Sequence, residues 1–254
     1  MEVATANVLR SLDDSDAWEA LLGLLEHEPD LVGLQEWGLS RHRLLRRTGG
    51  VRTVVPGLAS GLRTGRGPGG YTWVVPLVGG CAVGARAERF DLVACRTRLL
   101  GYVGRSDPGA RPLPLAPPRV ATVVVLRDRR PDGPDRVVSV VCYHLTPGVQ
   151  ARGTYREDRP LLAARHQREV RDLDRLVTEE VRRGHTVYAV GDSNFDGLRL
   201  TGLTSAWHGR EDGPGTLGPR RKIDDVHGPG PADAVTLLVN ASDHKAVIAS
   251  RADR

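Results

Sequence analysis

The sequence predicts an α/β protein in which two β-sheets pack face to face and helices cover both outer faces. Short apolar runs, rich in Val, Leu and Ala, recur in both halves of the 254-residue chain. Segments whose apolar residues have helical spacing separate some of these runs. No linker or internal repeat divides the sequence, so we expect a single domain over residues 1–254.

The first half of the chain is predicted to form six strands and two helices. Strands are expected at residues 3–9, 30–36, 51–56, 71–78, 81–86 and 90–100, each an apolar run bounded by polar or turn-forming residues. The first helix, capped by Ser15 or Asp16, should bury an apolar face and end before Pro29. That face comprises Trp18, Leu21, Leu22 and Leu25. A short basic helix is expected at 39–47, and the Gly-rich segment 57–70 predicts a loop.

The second half begins with a Gly- and Pro-rich segment, residues 101–118, that predicts an irregular loop. Residues 120–126 and 136–144 are expected to form an antiparallel hairpin, joined by a turn at 131–134. A long helix follows at 161–183, with Gly184 ending it. Its apolar face is predicted from Val170, Leu173, Val177 and Val181, and its arginines 165, 168, 171 and 175 are expected on the solvated face. The last strands are predicted at 187–194, 223–226, 234–239 and 246–249, and a further Gly/Pro loop at 209–222.

One apolar run ends abruptly in Gly191-Asp192-Ser193-Asn194. A buried strand with this ending delivers a carboxylate and an amide to its carboxyl end, which is where α/β sheets place their chemistry. In an extended chain, Asp192 and Asn194 would share one face. A carboxylate beside a neutral donor suits the task of holding a water molecule against a phosphate.

Five other apolar segments end in, or adjoin, polar residues of the same kind. The full set is Asn7, Glu36, His144, Asp192 with Asn194, Asp224, and Asp243 with His244. Each of these has an ordinary structural explanation when taken alone, such as a turn, a cap or a solvated strand end. Their repetition along the chain indicates one shared site.

The composition bounds the setting in which such a site would act. The formal net charge is +5, which is compatible with an anionic substrate, although an Arg-rich composition is weak evidence for one. The three cysteines form no CxxC pair, which favours free thiols in the cytoplasm. We expect no signal peptide, and no apolar run approaches the roughly 20 residues of a membrane-spanning helix.

These segments together resemble the endonuclease/exonuclease/phosphatase superfamily. The matching stretches are Thr5-Ala6-Asn7-Val8, Leu34-Gln35-Glu36, Tyr143-His144-Leu145, Gly191-Asp192-Ser193-Asn194, Ile223-Asp224-Asp225-Val226 and Ser242-Asp243-His244. They extend over nearly the whole chain, and the Gly-Asp-x-Asn and Ser-Asp-His motifs are the most specific. The resemblance implies a DNase I-like, four-layer α/β/β/α sandwich with two packed mixed sheets.

The resemblance also implies a metal-dependent phosphoesterase. Glu36 would be the main ligand of Mg²⁺, with Mn²⁺ as a substitute, and Asp243 would be a second ligand, directly or through water. Asp192 would orient the attacking water, since a carboxylate beside a metal ion stays ionised and is a weak base. The two asparagines, Asn7 and Asn194, would donate hydrogen bonds to phosphate or to Asp192.

The two histidines have implied roles of their own. His244, fixed by Asp224, would contact a phosphate oxygen as an imidazolium. His144 is similar to a second histidine of nuclease-like and sphingomyelinase-like members, where it is a general acid or a phosphate ligand. The expected mechanism is in-line attack that depends mainly on positioning and electrostatics.

Departures from the family pattern exclude some branches of the family but leave several substrate classes open. Asp225 stands where many relatives carry an aromatic residue, and the Trp-Cys-Asp-Arg run of the inositol-phosphatase branch is absent. The aromatic-rich segment of abasic-site endonucleases is absent too. The leading prediction is a nuclease acting on DNA or RNA, with a small-molecule or lipid phosphoesterase as the alternative. A non-catalytic phosphate-binding module is the second alternative, and the sequence leaves the oligomeric state open.

Overall fold

Two β-sheets lie face to face at the centre of the molecule. The structure, a computed structural model, describes residues 1–55, 62–64, 70–110, 114–130, 136–151 and 153–252. In these ranges the first sheet has eight strands: β1 (Glu2–Asn7), β2 (Leu31–Gln35), β3 (Gly49–Val54), β4 (Leu62–Thr64), β5 (Tyr71–Pro76), β6 (Ala82–Arg86), β17 (Ala234–Leu238) and β18 (Ala246–Ser250). The second has six: β7 (Phe90–Gly101), β10 (Arg119–Asp128), β11 (Arg136–His144), β14 (Thr186–Asp192), β15 (Thr204–Ser205) and β16 (Asp224–Gly228).

Both sheets mix parallel and antiparallel neighbours. The first sheet runs β17-β18-β1-β2-β6-β5-β3-β4, and the second runs β15-β16-β14-β11-β10-β7. Two short hairpins stand apart from them, β8 (Gly104–Arg105) with β9 (Leu115–Ala116), and β12 (Gln150–Ala151) with β13 (Thr154–Tyr155). Each sheet contains one parallel pair joined through a helix, β1 with β2 and β11 with β14.

Helices cover the outer face of each sheet. Helix α1 (Asp14–Leu25) and helix α2 (His42–Thr48), which follows a 3₁₀ turn at Leu39–Arg41, pack on the first sheet. Helix α3 (Pro160–Arg182) packs on the second sheet. The fold is therefore the four-layer α/β/β/α sandwich that the sequence predicts. Within the described residues, no helix is both long and apolar enough to cross a membrane.

The alternation of side chains along each strand divides the apolar residues among three cores. Val3, Leu31, Val140 and Val190 belong to the core between the two sheets, and their chain neighbours point to the helices. Gly33 marks a close approach of the sheets, because a Cβ there would lie 2.3 Å from a methyl carbon of Val190. The same alternation, continued to the strand ends, places polar side chains between the sheets at one edge.

Several local predictions need correction. Helix α1 is capped by Asp13, whose side chain accepts from the backbone N–H of Asp16, and not by Ser15 or Asp16. Leu22 is exposed, because the buried stripe of α1 is Ala17, Ala20, Leu21 and Leu24. The predicted loop 57–70 contains the short strand β4, and the predicted loop 101–118 contains the β8–β9 hairpin.

The face that α3 buries is also more polar than predicted. Its buried residues include Leu162, Arg165, His166, Glu169, Leu173, Leu176, Val177 and Glu180. Arg165 is thus part of the interior and not of the solvated face, whereas Val181 is exposed. The hairpin of β10 and β11 pairs as predicted, and its turn at 131–134 lies outside the described residues. Gly184 ends α3 with a left-handed φ of 81°, as expected.

Candidate active site

The carboxyl ends of two parallel strand pairs, β1 with β2 and β11 with β14, meet at one edge of the sandwich. Asn7 ends β1 and is paired in register with Gln35 at the end of β2, and Glu36 follows directly. In the other sheet, His144 at the end of β11 is paired with Asp192 at the end of β14. Since both pairs end at the same edge, residues from distant parts of the chain converge there.

The strand register brings a third polar residue to the same edge of the second sheet. Asp192 is paired in turn with Asp224, the first residue of β16, so His144, Asp192 and Asp224 occupy one rung of three adjacent strands. Their side chains continue the row of inward-facing residues, such as Val190 and Val226, that fill the core between the sheets. All three are buried. These three residues therefore form a polar cluster at the edge of the core, next to buried apolar side chains.

Asp192 is the centre of this cluster. Its Oδ2 accepts a hydrogen bond from Nδ2 of Asn7 at 3.0 Å, and its Oδ1 accepts from the backbone N–H of Asn194 at 2.7 Å. Nε2 of His144 lies 3.6 Å from Oδ2. Burial, together with the charge of Asp224, raises the pKa of Asp192 to about 7 even though these hydrogen bonds oppose the shift.

Gly191 allows Asp192 to reach this position. A Cβ at residue 191 would lie 2.0 Å from the carbonyl oxygen of Tyr143 on the neighbouring strand, so only glycine fits there. The chain turns after Asp192, and Asn194 has a left-handed φ of 54°. Asp192 and Asn194 therefore do not share the face of an extended strand. The amide of Asn194 donates instead to the carbonyl of Leu145, which ties the ends of β11 and β14 together.

His244 forms a charged pair with Asp224. Its Nδ1 lies 2.9 Å from Oδ2 of Asp224 and 4.0 Å from Oδ2 of Asp192. Burial alone would lower the pKa of His244, but the hydrogen bond to Asp224 and the charges of Asp224, Asp192 and Asp243 raise it to about 9. His244 is therefore favoured as an imidazolium at neutral pH. Asp224 positions its ring, and the backbone N–H of Asp224 donates in turn to the hydroxyl of Thr216.

Glu36 faces this cluster from the first sheet. It has a left-handed φ of 58°, its Oε2 accepts from the backbone N–H of Arg10, and its Oε1 lies 4.0 Å from Nε2 of His144. A left-handed conformation is uncommon for a residue with a side chain and often occurs at functional sites. Glu36 remains partly exposed, so its carboxylate borders both the cluster and solvent.

Asp243 lies at the margin of the site. Its Oδ1 is 3.7 Å from Nε2 of His244, and its side chain is 61% exposed. The position places it close enough to influence the charge of His244. Its predicted role as a second metal ligand stays a prediction.

Two kinds of cation site are compatible with these residues. Ligand atoms of Asp192, Asp224 and His244 lie within 4.8 Å of one another and could hold a metal ion. Nδ1 of His244 is, however, hydrogen bonded to Asp224, so the carboxylate of Asp224 already has a positively charged partner. The oxygens near Glu36 suit Mg²⁺ better, because it prefers hard oxygen ligands. Among the described residues, the buried Oδ1 of Asn7 has no hydrogen-bond partner.

Sequence reasoning missed the residues that hold the site in place. The buried guanidinium of Arg41 donates to the carbonyls of Val8, Leu9, Arg10 and Leu12, which fixes the loop after Asn7. An arginine in a basic helix gives no signal of this role, since neighbouring arginines of the same helix are exposed.

Helix α3 supplies a second support. Glu169 accepts from the backbone N–H and the hydroxyl of Thr146, two residues after His144, and Arg165 donates to Glu169. His166 donates from Nε2 to the carbonyl of Ser193 at 2.7 Å. A signal was present in the sequence, because residues 162, 166, 169, 173 and 176 follow one helical stripe.

The fold is similar to that of endonuclease/exonuclease/phosphatase proteins of known structure. A solved member of that group from Bacteroides vulgatus matches 98% of this chain and 97% of its own, with a TM-score of 0.61 and 15% identity. D. rerio TDP2, solved with a single strand DNA product, covers 98% and 97% with a TM-score of 0.58 and 14% identity. The Bacteroides thetaiotaomicron mannosyl-6-phosphatase Bt3783 covers 98% of both chains, with a TM-score of 0.59 and 15% identity.

These likenesses confirm the predicted fold at low sequence identity. No model of a known protein family matches the sequence, and no curated protein matches it either. Since proteins that share a fold can differ in function, the activity has to be argued from the site itself.

Proposed function

We propose that the protein is a Mg²⁺-dependent phosphodiester hydrolase in which Asp192 positions the attacking water. The observation that carries the proposal is the arrangement around Asp192. This buried carboxylate has one oxygen held by Asn7 of the opposite sheet and the other by the backbone of Asn194. A histidine lies on either side, His144 at 3.6 Å and His244 at 4.0 Å.

The hydrogen bonds to Asp192 support a positioning role. Asn7 and Asn194 each occupy one lone pair of the carboxylate, and the remaining lone pairs can accept from a water molecule. Since two fixed donors hold the carboxylate, the water would be aligned before the substrate arrives. Mg²⁺, when bound, would neutralise phosphate charge and stabilise the leaving oxygen. Glu36 would be its main ligand.

The two histidines would act on the phosphate group. His244 is favoured as an imidazolium by Asp224, so its Nε2 would donate to a non-bridging oxygen. His144 lies on the side of Glu36, where it would hold the phosphate or protonate the leaving oxygen. Asn194 would support this arrangement indirectly, by fixing the strand ends and the orientation of Asp192.

Nucleic acid is the first candidate substrate class. The net charge of +5 and the bound DNA product of D. rerio TDP2 support it. A small-molecule or lipid phosphoester is the second candidate class. The mannosyl-6-phosphatase from Bacteroides thetaiotaomicron, which has a similar fold, supports it. The three cysteines are free and buried, which supports the proposal of a cytoplasmic protein.

A substrate panel tests the proposal. The purified chain is assayed with Mg²⁺, Mn²⁺ or EDTA on plasmid DNA, RNA, abasic DNA, nucleotides, phospholipids and bis(4-nitrophenyl) phosphate. We expect hydrolysis of at least one phosphodiester that requires the divalent cation and is lost in Asp192→Ala. Hydrolysis that continues unchanged in EDTA, or in Asp192→Ala, would contradict the proposal. Binding of phosphate without any turnover would instead favour a non-catalytic module.

A further inference from the structure

A cleft opens beside Glu36 and His144, on one side of the polar cluster. Its volume is about 820 Å³, which is within the range of pockets that bind small molecules. The cleft is lined by residues of the loop after β1, the 3₁₀ turn, the turn between β5 and β6, and the segments before β10 and after β11. Because Glu36 and His144 form part of its wall, an ester group attached to a phosphate in the site would enter it.

Three exposed aliphatic residues form one part of the wall of this cleft. Leu39, Leu77 and Val78 line it and are 51%, 42% and 43% exposed. The prolines that add to the wall are Pro76, Pro117, Pro118 and Pro147. Exposed aliphatic side chains that cluster around one concave site, beside its chemically active groups, are typical of a ligand-binding surface.

The turn that carries Leu77 and Val78 is seated directly against Glu36. Gly80 has a left-handed φ of 65°, its carbonyl accepts from the backbone N–H of Trp37, and a Cβ on it would lie 3.4 Å from Cα of Glu36. The backbone N–H of Leu77 donates to the carbonyl of Val54. The apolar surface is therefore held in a fixed place next to the proposed metal ligand.

The charges along the cleft suit a single phosphate. Three arginines line it, Arg10, Arg41 and Arg119, and Arg41 donates to four backbone carbonyls. A nucleic-acid strand brings a further phosphate with each nucleotide, every ~3.4 Å along the helix axis. Leu39, Leu77 and Val78 offer no cation to a second phosphate, and Trp37, the aromatic residue among the described lining residues, is only 1% exposed and presents no flat surface to a base.

We propose that this cleft receives an apolar ester arm, so that the substrate is an amphiphilic phosphodiester with one phosphate and an alkyl, acylglycerol or aryl group. The inference rests on the proposed phosphodiester hydrolysis and, of its two candidate substrate classes, selects the small-molecule or lipid phosphoester over nucleic acid. Leu39, Leu77 and Val78 are then specificity residues, because they contact the arm and leave the reacting atoms to Asp192 and Glu36.

Binding to an inactive variant tests the inference without turnover. Isothermal titration calorimetry on Asp192→Asn with Mg²⁺ compares dimethyl phosphate, dibutyl phosphate and a thymidine trinucleotide. We expect dibutyl phosphate to bind at least about tenfold more tightly than dimethyl phosphate, as is typical when methylene groups enter an apolar pocket. We expect it also to bind more tightly than the trinucleotide.

Two matched double variants locate the effect. Leu77→Ser with Val78→Ser, in the Asp192→Asn background, should abolish the preference for the butyl arms. Leu99→Ser with Val93→Ser should retain it, since these residues of β7 are similarly exposed, at 43% and 54%, and do not line the cleft. Thermal melting confirms that each variant is folded.

The outcomes separate this inference from the proposed function. Equal affinity for the two dialkyl phosphates, no binding of either, tighter binding of the trinucleotide, or an unchanged preference in the Leu77/Val78 variant would each overturn the inference. The proposed function fails on a different result, the absence of metal-dependent hydrolysis by the unmodified protein on every phosphodiester of the panel.

Discussion

The side-chain amide of Asn7 donates to Asp192 across the gap between the two sheets, at 3.0 Å and over 185 positions of sequence. The contact joins the last residue of β1 to the last residue of β14. It therefore connects the parallel strand pair of one sheet with that of the other, at the edge where Glu36 and His144 also lie. The proposed active site depends on how the two sheets are docked, and not on either sheet alone.

Replacing Asn7 should reduce activity more than stability. We expect Asn7→Ala to lower kcat/KM by about 10²-fold, the usual effect of removing one positioned donor. The lost hydrogen bond should cost only about 1 kcal/mol of unfolding free energy. Steady-state kinetics and denaturant unfolding measure the two effects.

Thr5→Val is the matched control for Asn7→Ala. Thr5 lies on the same strand and the same face, and its hydroxyl donates to Gln35 without contact to Asp192. Near-normal kinetics in Thr5→Val combined with the loss in Asn7→Ala would support the account. An equal loss in both variants would mean that general damage to the sheet explains the result.

The high pKa of His244 predicts the alkaline limb of the pH profile. Because Asp224 and its neighbours raise that pKa to about 9, His244 should remain an imidazolium up to that pH, and kcat/KM should fall above it. Asp224→Asn removes the charge that opposes deprotonation, so the alkaline limb should move to lower pH by about one unit or more.

Asp225→Asn provides the control for that shift. The side chain of Asp225 points to the other face of the strand, where it accepts from Ser205 and Ala206. The alkaline limb of the Asp225→Asn profile should stay near pH 9. The assignment of the limb to His244 would fail if both variants shifted it equally, or if neither did.

The raised pKa of Asp192 predicts that the metal-free site is destabilising. Its folded pKa, about 7, is above the ordinary aspartate value of 3.8, so the folded state loses stability as pH rises from about 4 to 7, and the full loss is present above 7. Asp192→Asn stays neutral at every pH. It should melt a few degrees higher than the unmodified protein in EDTA at pH 8, since about 1 kcal/mol shifts the midpoint of a chain this size by roughly 2–4 °C.

The difference should shrink as the pH falls to 4 and vanish well below it, where Asp192 is protonated in both the folded and the unfolded state. The hydrogen bonds permit the substitution, because the free Oδ1 of Asn7 could accept from the new amide after a flip of the Asn7 side chain. Differential scanning fluorimetry across this pH range makes the measurement. A lower melting temperature of Asp192→Asn at pH 8 would contradict the expected burial penalty.

The proposed role of Glu36 predicts a specific change in metal dependence. Glu36→Gln keeps a side-chain oxygen for the backbone N–H of Arg10 but removes the charge. We expect the Mg²⁺ concentration for half-maximal activity to rise about tenfold or more, since the cation loses its main anionic ligand. Glu28→Gln is the control, because Glu28 is an exposed glutamate that also has a left-handed φ, of 48°. An unchanged Mg²⁺ requirement in Glu36→Gln would remove Glu36 from the proposed metal site.

The strand ends were predictable because a buried strand appears in the sequence as an apolar run that ends at a polar residue. The apolar runs before Asn7, His144 and Asp192 alternate between two cores, and the functional residue continues the alternation. The layer order followed from the same runs and from the helical spacing in α1 and α3. Patterns of this kind report burial, and burial positions the residues on which the site depends.

Other features could not be read from local patterns. The left-handed turn at Asn194 redirects its amide to Leu145, and no spacing rule distinguishes that turn from a continued strand. The helical stripe of α3 indicates that Glu169 is buried, but its contact with Thr146 could not be predicted because Thr146 lies in a distant segment. The cleft beside Glu36 is formed by five separate segments, so its apolar wall exists only after the sheets have docked.

The most direct test of the account is the rate of bis(4-nitrophenyl) phosphate hydrolysis by the unmodified protein and by Asp192→Ala at saturating Mg²⁺. If Asp192 positions the attacking water, the substitution should lower kcat by about 10²–10⁴-fold while the variant remains folded. A variant that hydrolyses the diester at the rate of the unmodified protein would contradict the central claim.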